Sequence, residues 1–598
     1  MVQDPLAFFN SQIPKHQQEF NRLDQKYQLI SWLRVIVFIG FAAVVGYLFY
    51  FREFTWSALS VALGIFLFGA IVNRHKKLGF QRNIEEILVK VNKDEIRRLN
   101  HELEEIENGE HFKDEKHPYS GDMDVFGKNS LFQQLNRSSS PTGQLKLSEW
   151  LRNLTGKEGI ERRQEAIAEL KPLVEWRQRI EALSRYGKRP DSFEKMELMN
   201  NWLSEKPIIS KPHIKLIIAI AVGVFNGVFS LIVIVNQLPL SFLLIPALIG
   251  LGLVGGIQNS MIKVTDVAKN GLSLLENQLL LIKQYKRVSL KSQFFRNCDS
   301  ALLEGSPAEE QINDLARLLN HLNNRGNFIY WIFNTIFLLD IYLIISIEKW
   351  KKRNADHLPN WIDAISDIEA INSLAGFAFA HPAYVLPEIS QGLSLRATDL
   401  GHPLIKHENR VSNDFEIGNA KIGVVTGSNM SGKSTFLRTV GVNLVLAQIG
   451  AVVCAKSFSF SPILVYSSMR TSDNLEESVS SFYAELQRIE GLLRLLKEGR
   501  KVFFLLDEIL KGTNTHDRQL GAKSLILQLI EHNCVGLVST HDIALGELAQ
   551  KHQEIRNLHF SSEIKNDKLF FDYTLKPGIC QSFNASELME QIGIKLVG

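Results

Sequence analysis

Residues 422–435 read IGVVTGSNMSGKST, an apolar run followed by a glycine-bounded turn and then Lys-Ser-Thr. Ile422 to Val425 have the continuous aliphatic character of a strand buried on both faces, and TFLRTVGVNLVLAQI after the turn reads as a helix. Strand, glycine turn and helix in that order bring free backbone amides and a helix N-terminus to one point, which is where an anion is held. The pattern G-x-x-x-x-G-K-[ST] is met by Gly427, Gly432, Lys433 and Ser434. The loop Gly427, Ser428, Asn429, Met430, Ser431, Gly432, Lys433, Ser434 and Thr435 is therefore expected to hold the phosphates of ATP. Its glycines let backbone N–H groups come close, Lys433 reaches the β and γ oxygens, and the Ser434 hydroxyl ligates Mg2+.

Two further strands support that expectation. Val502 to Leu506 runs into Asp507-Glu508, the pair of acids needed to hold magnesium and to activate a water. Cys534 to Ser539 runs into Thr540-His541, placing an imidazole at the carboxyl edge of the same sheet, where His541 is a candidate sensor of the γ-phosphate. Between these elements lies DNLEESVSSFYAELQRIEGLLRLLKEG, in which Ser480 or Ser481 starts a helix reaching about Leu496. That serine reads either as a simple N-cap or as part of a second anion site.

The chain is 598 residues long, enough for two to four folding units, and its formal charge of +3 gives no general attraction to polyanions. Cys298, Cys454, Cys534 and Cys580 lie far apart without a CxxC pair, which fits a reducing compartment better than a zinc ribbon or a disulfide framework. The start, MVQDPLAFFNSQIPKHQQEF, lacks the pattern of a secretory signal.

Several stretches are apolar enough to cross a bilayer. Val35 to Phe51 and Thr55 to Val72 carry no charge and are separated only by Arg52-Glu53-Phe54, so they read as one tight helical hairpin. Leu216 to Val235 and Phe242 to Ile257, joined by NQLPLS, read as a second. Gly250, Gly252, Gly255 and Gly256 would permit close helix contact there. Basic residues flank both pairs on the same side: Lys15, Arg22, Lys26, Arg34, Arg74, Lys76 and Lys77 for the first, Lys206, Lys211, Lys215 and Lys263 for the second. Both hairpins are thus expected to project from the cytosolic side. Phe328 to Ile347 is a further apolar run, but Asn334 and Asp340 inside it favour a buried or interfacial helix over a span, as does the even number of spans needed to keep the loop with ATP. Residues 78 to 110 read as a long solvated helix, 112 to 140 as loop, and 145 to 205 as helix again. On pattern alone Asp122, Asp124 and Arg137 are loop and cap residues.

Taken in order, these motifs resemble the MutS family of DNA mismatch-repair ATPases, within the ABC ATPase superclass. TGSNMSGKSTFLRT is similar to the family's phosphate loop, LLDEILKGTNTHD to its magnesium and dimer-contact segment, VSSFYAEL to its signature helix and VSTHD to its switch histidine. GHPLI at 401, VSNDFEI at 411 and YTLKPGICQSFNASEL at 573 resemble flanking segments, and DMDVFGKNSLFQQLNRSSSPTG with RRQEAI resembles more weakly the entry to the family's helical lever domain.

The resemblance implies an α/β P-loop NTPase domain of ABC type at the C-terminus, preceded by an α-helical lever-like domain that carries two transmembrane helical hairpins. The expected division is a cytosolic tail at 1–28, hairpin 1 at 29–77, a stalk and lever-like region at 78–211, hairpin 2 at 212–263, a second lever-like part at 264–400 and the ATPase domain at 401–598. It further implies a homodimer through the ATPase domains, in which Ser480 or Ser481 of one subunit completes the ATP site of the other. Lys433 carries over as phosphate ligand, Ser434 and Asp507 as magnesium ligands, Glu508 as catalytic base and His541 as switch. ATP and Mg2+ are the expected cofactors, and mismatched or branched DNA is a partner on the family's precedent alone.

No mismatch-reading domain is expected ahead of the first hairpin and no nuclease domain after the ATPase unit. Phe51-Arg52-Glu53 has the Phe-x-Glu shape of a mismatch wedge, but at a hairpin turn it is read as coincidence. The bilayer is the remaining partner, with the protein integral to an inner or plasma membrane and its ATPase domain facing the cytoplasm. The alternative is a membrane-bound ABC-type ATPase acting on a non-DNA partner, as a transporter or a scaffold switch.

Overall fold

The structure, a computed structural model, describes residues 4–187, 192–207, 209, 211–323, 325, 327–418, 421–470, 481–565 and 568–580. Two 46-residue helices, Pro5–Tyr50 and Phe54–Leu99, open the chain and pack along each other, antiparallel. Asp4 caps the first by accepting from the Leu6 amide, with Pro5 in the first turn, where a missing N–H costs nothing. The turn between them puts Arg52 at φ 61°. Near the body the pair is laced by polar contacts: His16 to Glu85 at 2.7 Å, Arg82 to Asp24 at 2.7 Å, and the Tyr27 ring stacked on His75.

The character of the second helix changes along its length. At the far end Phe54, Trp56, Ile65 and Phe66 face outward, whereas nearer the body Ile84, Leu88 and Val91 are buried. The helix expected to be solvated from 78 to 110 therefore ends at Leu99 and buries one face, partly against the helix Val174–Gly187.

A second apolar unit gathers the helices Pro212–Val235, Leu244–Gly255 and Phe328–Phe337. Small residues set how close they come. A Cβ on Gly223 would sit 3.6 Å from the Phe337 carbonyl oxygen, and one on Gly250 would overlap the Thr335 carbonyl outright. Asn226, fully buried, donates to the carbonyls of Pro246 and Ile336, both at 3.2 Å. Replacing Gly250 with leucine should force the helices apart and destabilise the unit by about 1–3 kcal/mol, the usual cost of overpacking, read as a lower melting temperature in detergent.

The stretch 328–347 is not one helix. It breaks at Leu338, φ 58°, into Phe328–Phe337 and Leu339–Asn354, bent by 83° over the described residues. Asp340 lies at the bend with none of its surface exposed, accepting from Arg325 at 2.7 Å, Tyr330 at 2.9 Å and Asn334 at 3.0 Å, while its own amide donates to the Asn334 side chain. A buried carboxylate needs this set of partners, and gathering them requires the chain to turn.

Arg137 departs from the loop-and-cap reading too. It is buried, pairs with Glu95 at 2.9 Å beside Arg98, donates to the carbonyls of Gln134 and Leu135, and packs where a Cβ on Gly376 would collide with it.

The C-terminal part is α/β. One sheet has the order β1 (Glu388–Ile389), β5 (Ser457–Phe460), β2 (Leu395–Leu400), β3 (Asn413–Ile417). The other runs β10 (Lys568–Pro577), β9 (Ile555–Lys565), β4 (Ile422–Thr426), β8 (Cys534–Thr540), β7 (Val502–Asp507), β6 (Leu464–Ser468), parallel throughout except for the β9–β10 pair. Every residue of β4, β7 and β8 is buried, which explains why they read as unbroken apolar runs. The helix Lys433–Gln448 follows β4 and is almost wholly buried. It shares a core with the helical region: Gly441 of the helix meets Met123, and Gly450 just beyond its end meets Arg163.

Candidate active site

In the large sheet β4 lies between β8 and β9; the chain leaves β4 towards β6 on one side and leaves β8 towards β9 on the other, so the connections of the adjacent strands β4 and β8 run in opposite directions. The crevice beyond the carboxyl ends of such a pair is where an open α/β sheet accepts a ligand. The loop after β4 enters it. A Cβ on Gly427 would stand 2.9 Å from the Phe560 carbonyl oxygen, and Gly432 takes φ 102° with the Tyr573 ring 3.0 Å from where its Cβ would be. Both positions need glycine.

Lys433 is 4% exposed. Its Nζ donates to the carbonyl oxygens of Gly427 at 2.9 Å and Ser428 at 2.8 Å, and lies 4.0 Å from Glu508 Oε1. Burial lowers the Lys433 pKa, and the nearby Glu508 and Asp507 oppose that. Ser434 and Thr435 face the cleft on the first turn of the helix, with Asn429 and the exposed Met430 at its rim. Ser428 donates to the Ser562 hydroxyl, and the buried Ser431 hydroxyl finds no hydrogen-bond partner among the described residues.

The acids arrive on β7. Asp507 closes the strand and accepts from the Ser539 hydroxyl on β8, which orients its carboxylate. Glu508 follows at φ 49°, its amide bonded to the Ser539 carbonyl at 3.0 Å. Its carboxylate lies beside Lys511 at 3.2 Å and Lys433 at 4.0 Å, with the His541 imidazole Nδ1 at 3.9 Å. Burial would raise the Glu508 pKa, but Lys511, then Lys433 and His541, outweigh it and hold the carboxyl below its usual range. The loop lysine, both acids and the histidine, which are scattered over more than a hundred positions of sequence, thus meet at one sheet edge. Ser480 lies outside the described residues, and of Ser481 only the backbone at the start of the helix Ser481–Lys497 is described.

The family model for MutS domain V matches residues 423–593. Among curated relatives, the DNA mismatch repair protein MSH6 of Arabidopsis thaliana is 33% identical over 252 residues, covering 38% of this chain and 19% of its own length. MutS of Aquifex pyrophilus is 30% identical over 232 residues, covering 38% and 27%, and MutS of Orientia tsutsugamushi is 34% identical over 221 residues, covering 35% and 24%. The C-terminal region belongs to the MutS family. The chain spans less than a third of the length of these relatives, so the likeness concerns this region and not their whole architecture.

Within this MutS-type region the cleft has a volume of ≈ 750 Å³, and part of its wall was not anticipated from sequence. Tyr573 stands over the glycine loop because β10 loses register between Phe571 and Leu575, with Tyr573 at φ 52°. Asn413 of β3 secures the bulge by bonding the Tyr573 carbonyl at 3.1 Å and the Leu575 amide at 2.7 Å. His402 lines the same cleft, its pKa pushed down to about 4, chiefly by burial and then by Arg438, so it is neutral near pH 7. The sequence signals for these residues were GHPLI, VSNDFEI and YTLKPG, read merely as flanking segments.

An aromatic face at the mouth of the cleft can stack on a planar ring such as a purine. Removing it in Tyr573→Ala should weaken nucleotide binding about five- to tenfold, on the order of 1 kcal/mol of stacking, as measured by titration with a fluorescent ATP analogue.

Proposed function

We propose that the chain is a membrane-anchored, magnesium-dependent ATP hydrolase whose nucleotide cycle opens and closes a homodimer, acting on mismatched or branched DNA. The observation that carries the hydrolase reading is the convergence of Lys433, Asp507, Glu508 and His541 on the glycine loop at the carboxyl edge of the parallel sheet. The site suits ATP and Mg2+. Two glycines leave room where a Cβ would meet Phe560 or Tyr573, the Ser431 hydroxyl lacks a partner among the described residues, and Ser434 with Asp507 would offer oxygen donors to a hard cation.

In this reading Lys433 exchanges the carbonyls of Gly427 and Ser428 for the β and γ oxygens of ATP, while the amides of the loop cradle the chain of phosphates. Glu508 Oε accepts a proton from the attacking water as its oxygen bonds to the γ-phosphorus. The bond to the β,γ-bridging oxygen breaks, and ADP leaves with that oxygen. Magnesium, held by Ser434 and Asp507, would neutralise charge on the β- and γ-phosphates. His541, beside Glu508, reports whether the γ-phosphate is present. Ser480 or Ser481 of the partner subunit completes the site, and this part rests on the family.

The membrane reading is supported by three helices, Pro5–Tyr50, Phe54–Leu99 and Pro212–Val235, long and apolar enough to cross a bilayer among the described residues. Their apolar ends face outward, as lipid contact requires. The flanking basic residues support an ATPase domain on the cytoplasmic side of a protein integral to an inner or plasma membrane. The relatives are DNA mismatch repair proteins, and that is what suggests DNA. The apolar unit at 212–255, set into the helical region, favours a second reading in which the same engine serves a non-DNA partner as a transporter or a scaffold switch.

The test is ATP hydrolysis by the full chain in detergent, with magnesium or a chelator, and with no DNA, paired duplex, mismatched duplex or branched DNA. Magnesium-dependent turnover that a DNA form accelerates is the expected result. Neither turnover nor ATP-dependent dimerisation would remove the enzyme reading. Absence of binding to any DNA at low salt, where phosphate contacts are strongest, would leave the ATPase and favour the second reading.

A further inference from the structure

The turn that carries Glu508 is held in an uncomfortable shape. Glu508 and Leu510 both have left-handed backbones, φ 49° and 61°, which strain side-chain-bearing residues and persist only when neighbouring groups fix them. The neighbouring group is Glu485 on the helix Ser481–Lys497. Its carboxylate is 5% exposed and accepts from the amides of Leu510 and Lys511, the second at 3.2 Å. Two charge-assisted bonds to consecutive amides leave the turn little freedom.

One helical turn further on, on the same side, is Arg488. It donates to the His117 carbonyl at 3.1 Å and lies 3.9 Å from Asp122. His117 and Asp122 belong to a segment that follows the long helix Phe54–Leu99, and that segment is built into the α/β unit. The Pro118 carbonyl accepts from the Ser467 amide at 2.9 Å. Asp122, 4% exposed, accepts from the Ser467 hydroxyl at 2.6 Å and from the amides of Met469 and Arg470 at 3.2 and 3.0 Å. Asp124 pairs with both terminal nitrogens of Arg470 at 2.7 and 2.9 Å. On the other side Met123 presses on Gly441 of the helix that starts at Lys433. Asp122 and Asp124, read from sequence as loop residues, are thus clamps between the helical region and the edge of the sheet.

We propose that Glu485 is a positioning residue for Glu508, and that the segment His117–Asp124 acts on it through Arg488. The helix Ser481–Lys497 is then a rod, bonded at Arg488 to the segment that continues from the long helices and at Glu485 to the turn that presents the base. A shift of the helical region reaches the Glu508 turn through the side chains of Arg488 and Glu485, each bonded to backbone groups. The inference deepens the ATPase reading and rests on it for the role of Glu508.

Two variants of the full chain in detergent test it. Glu485→Gln keeps one acceptor oxygen and loses the charge. It should lower kcat for ATP at least tenfold with KM within twofold, and speed amide hydrogen exchange in peptides covering 508–512 at least tenfold. Arg488→Met keeps the apolar stem and should give the same pattern at about threefold. Unchanged exchange at 508–512 in Glu485→Gln overturns the proposal. Unchanged exchange in Arg488→Met alone overturns the link to His117–Asp124. Faster exchange across the whole α/β unit, or KM and kcat changing together, makes Glu485 a structural residue only and also overturns it. A wild type without turnover would sink the ATPase reading, whereas the exchange arms would still decide whether Glu485 holds the turn.

Discussion

Replacing Glu508 with glutamine is expected to lower ATP turnover about a hundred- to a thousandfold while leaving ATP affinity within about threefold, the separation expected when a general base is lost and binding groups stay. The amide is close to isosteric, so its contacts with Lys511 and His541 can relax into hydrogen bonds, but it has no basic oxygen to take the proton from water. Steady-state hydrolysis and equilibrium nucleotide titration on the same preparation check the two halves. The pH profile of the wild type follows from the same surroundings. Because Lys511, Lys433 and His541 hold the Glu508 carboxyl below its ordinary value of 4.5 despite burial, the base stays ionised on acidification, and the acid limb belonging to it should fall below that value. A limb from Glu508 centred above pH 5 would contradict the cation cluster.

Lys433→Ala should act on both quantities, weakening ATP binding at least tenfold and lowering turnover about a thousandfold. In the present state the ammonium is almost fully buried and bound to two loop carbonyls with a carboxylate nearby. Taking it away leaves the Gly427 and Ser428 carbonyls without their donor, Glu508 with one cation fewer, and the incoming phosphates without a charge-assisted partner worth about 1.5–3 kcal/mol. The fold should survive, since the helix that Lys433 opens is anchored elsewhere by Asn443, which bonds the Gly401 carbonyl and the Cys454 amide. Isothermal titration and circular dichroism together separate lost binding from lost structure. Affinity equal to wild type would show that the lysine stays on the carbonyls when nucleotide arrives.

The parts of this molecule legible in its sequence are those where one local rule dominates. IGVVT, VFFLLD and CVGLVST are buried on both faces, so their burial needed no knowledge of partners, and the loop glycines announce a close backbone approach. The apolar runs at 35–72 and 216–235 read as helices for a similar reason. What stayed hidden depends on distant pairing. Tyr573 lines the cleft only because β10 slips register against β9, and nothing in YTLKPG specifies a bulge. Asp122 and Asp124 look like any loop acids until Ser467, Met469 and Arg470 are brought to them from almost 350 positions away. Glu485 sits in an ordinary amphipathic pattern, and its task is set by a strained turn on another strand. The run 328–347 broke because Asp340 required Arg325, Tyr330 and Asn334 at once, a demand that hydropathy does not register.

The long helices have a mechanical consequence. From Asn73 to Leu99 the second helix runs about 40 Å at 1.5 Å per residue, and the 28-residue helix Gln258–Tyr285, which leads away from the other apolar unit, runs about 42 Å. Both pack on the helix Val174–Gly187. Phe80, Asn92 and Asp94 of the first and Asn277 and Gln284 of the second touch that helix. This leaves about 39 Å of the first, back to Phe54, and about 28 Å of the second, back to Gln258, beyond the contact. A tilt of about ten degrees there sweeps those ends through about 7 and about 5 Å. If those ends lie in a bilayer, a rotation too small to disturb the core would appear there as sideways motion in the plane of the lipid.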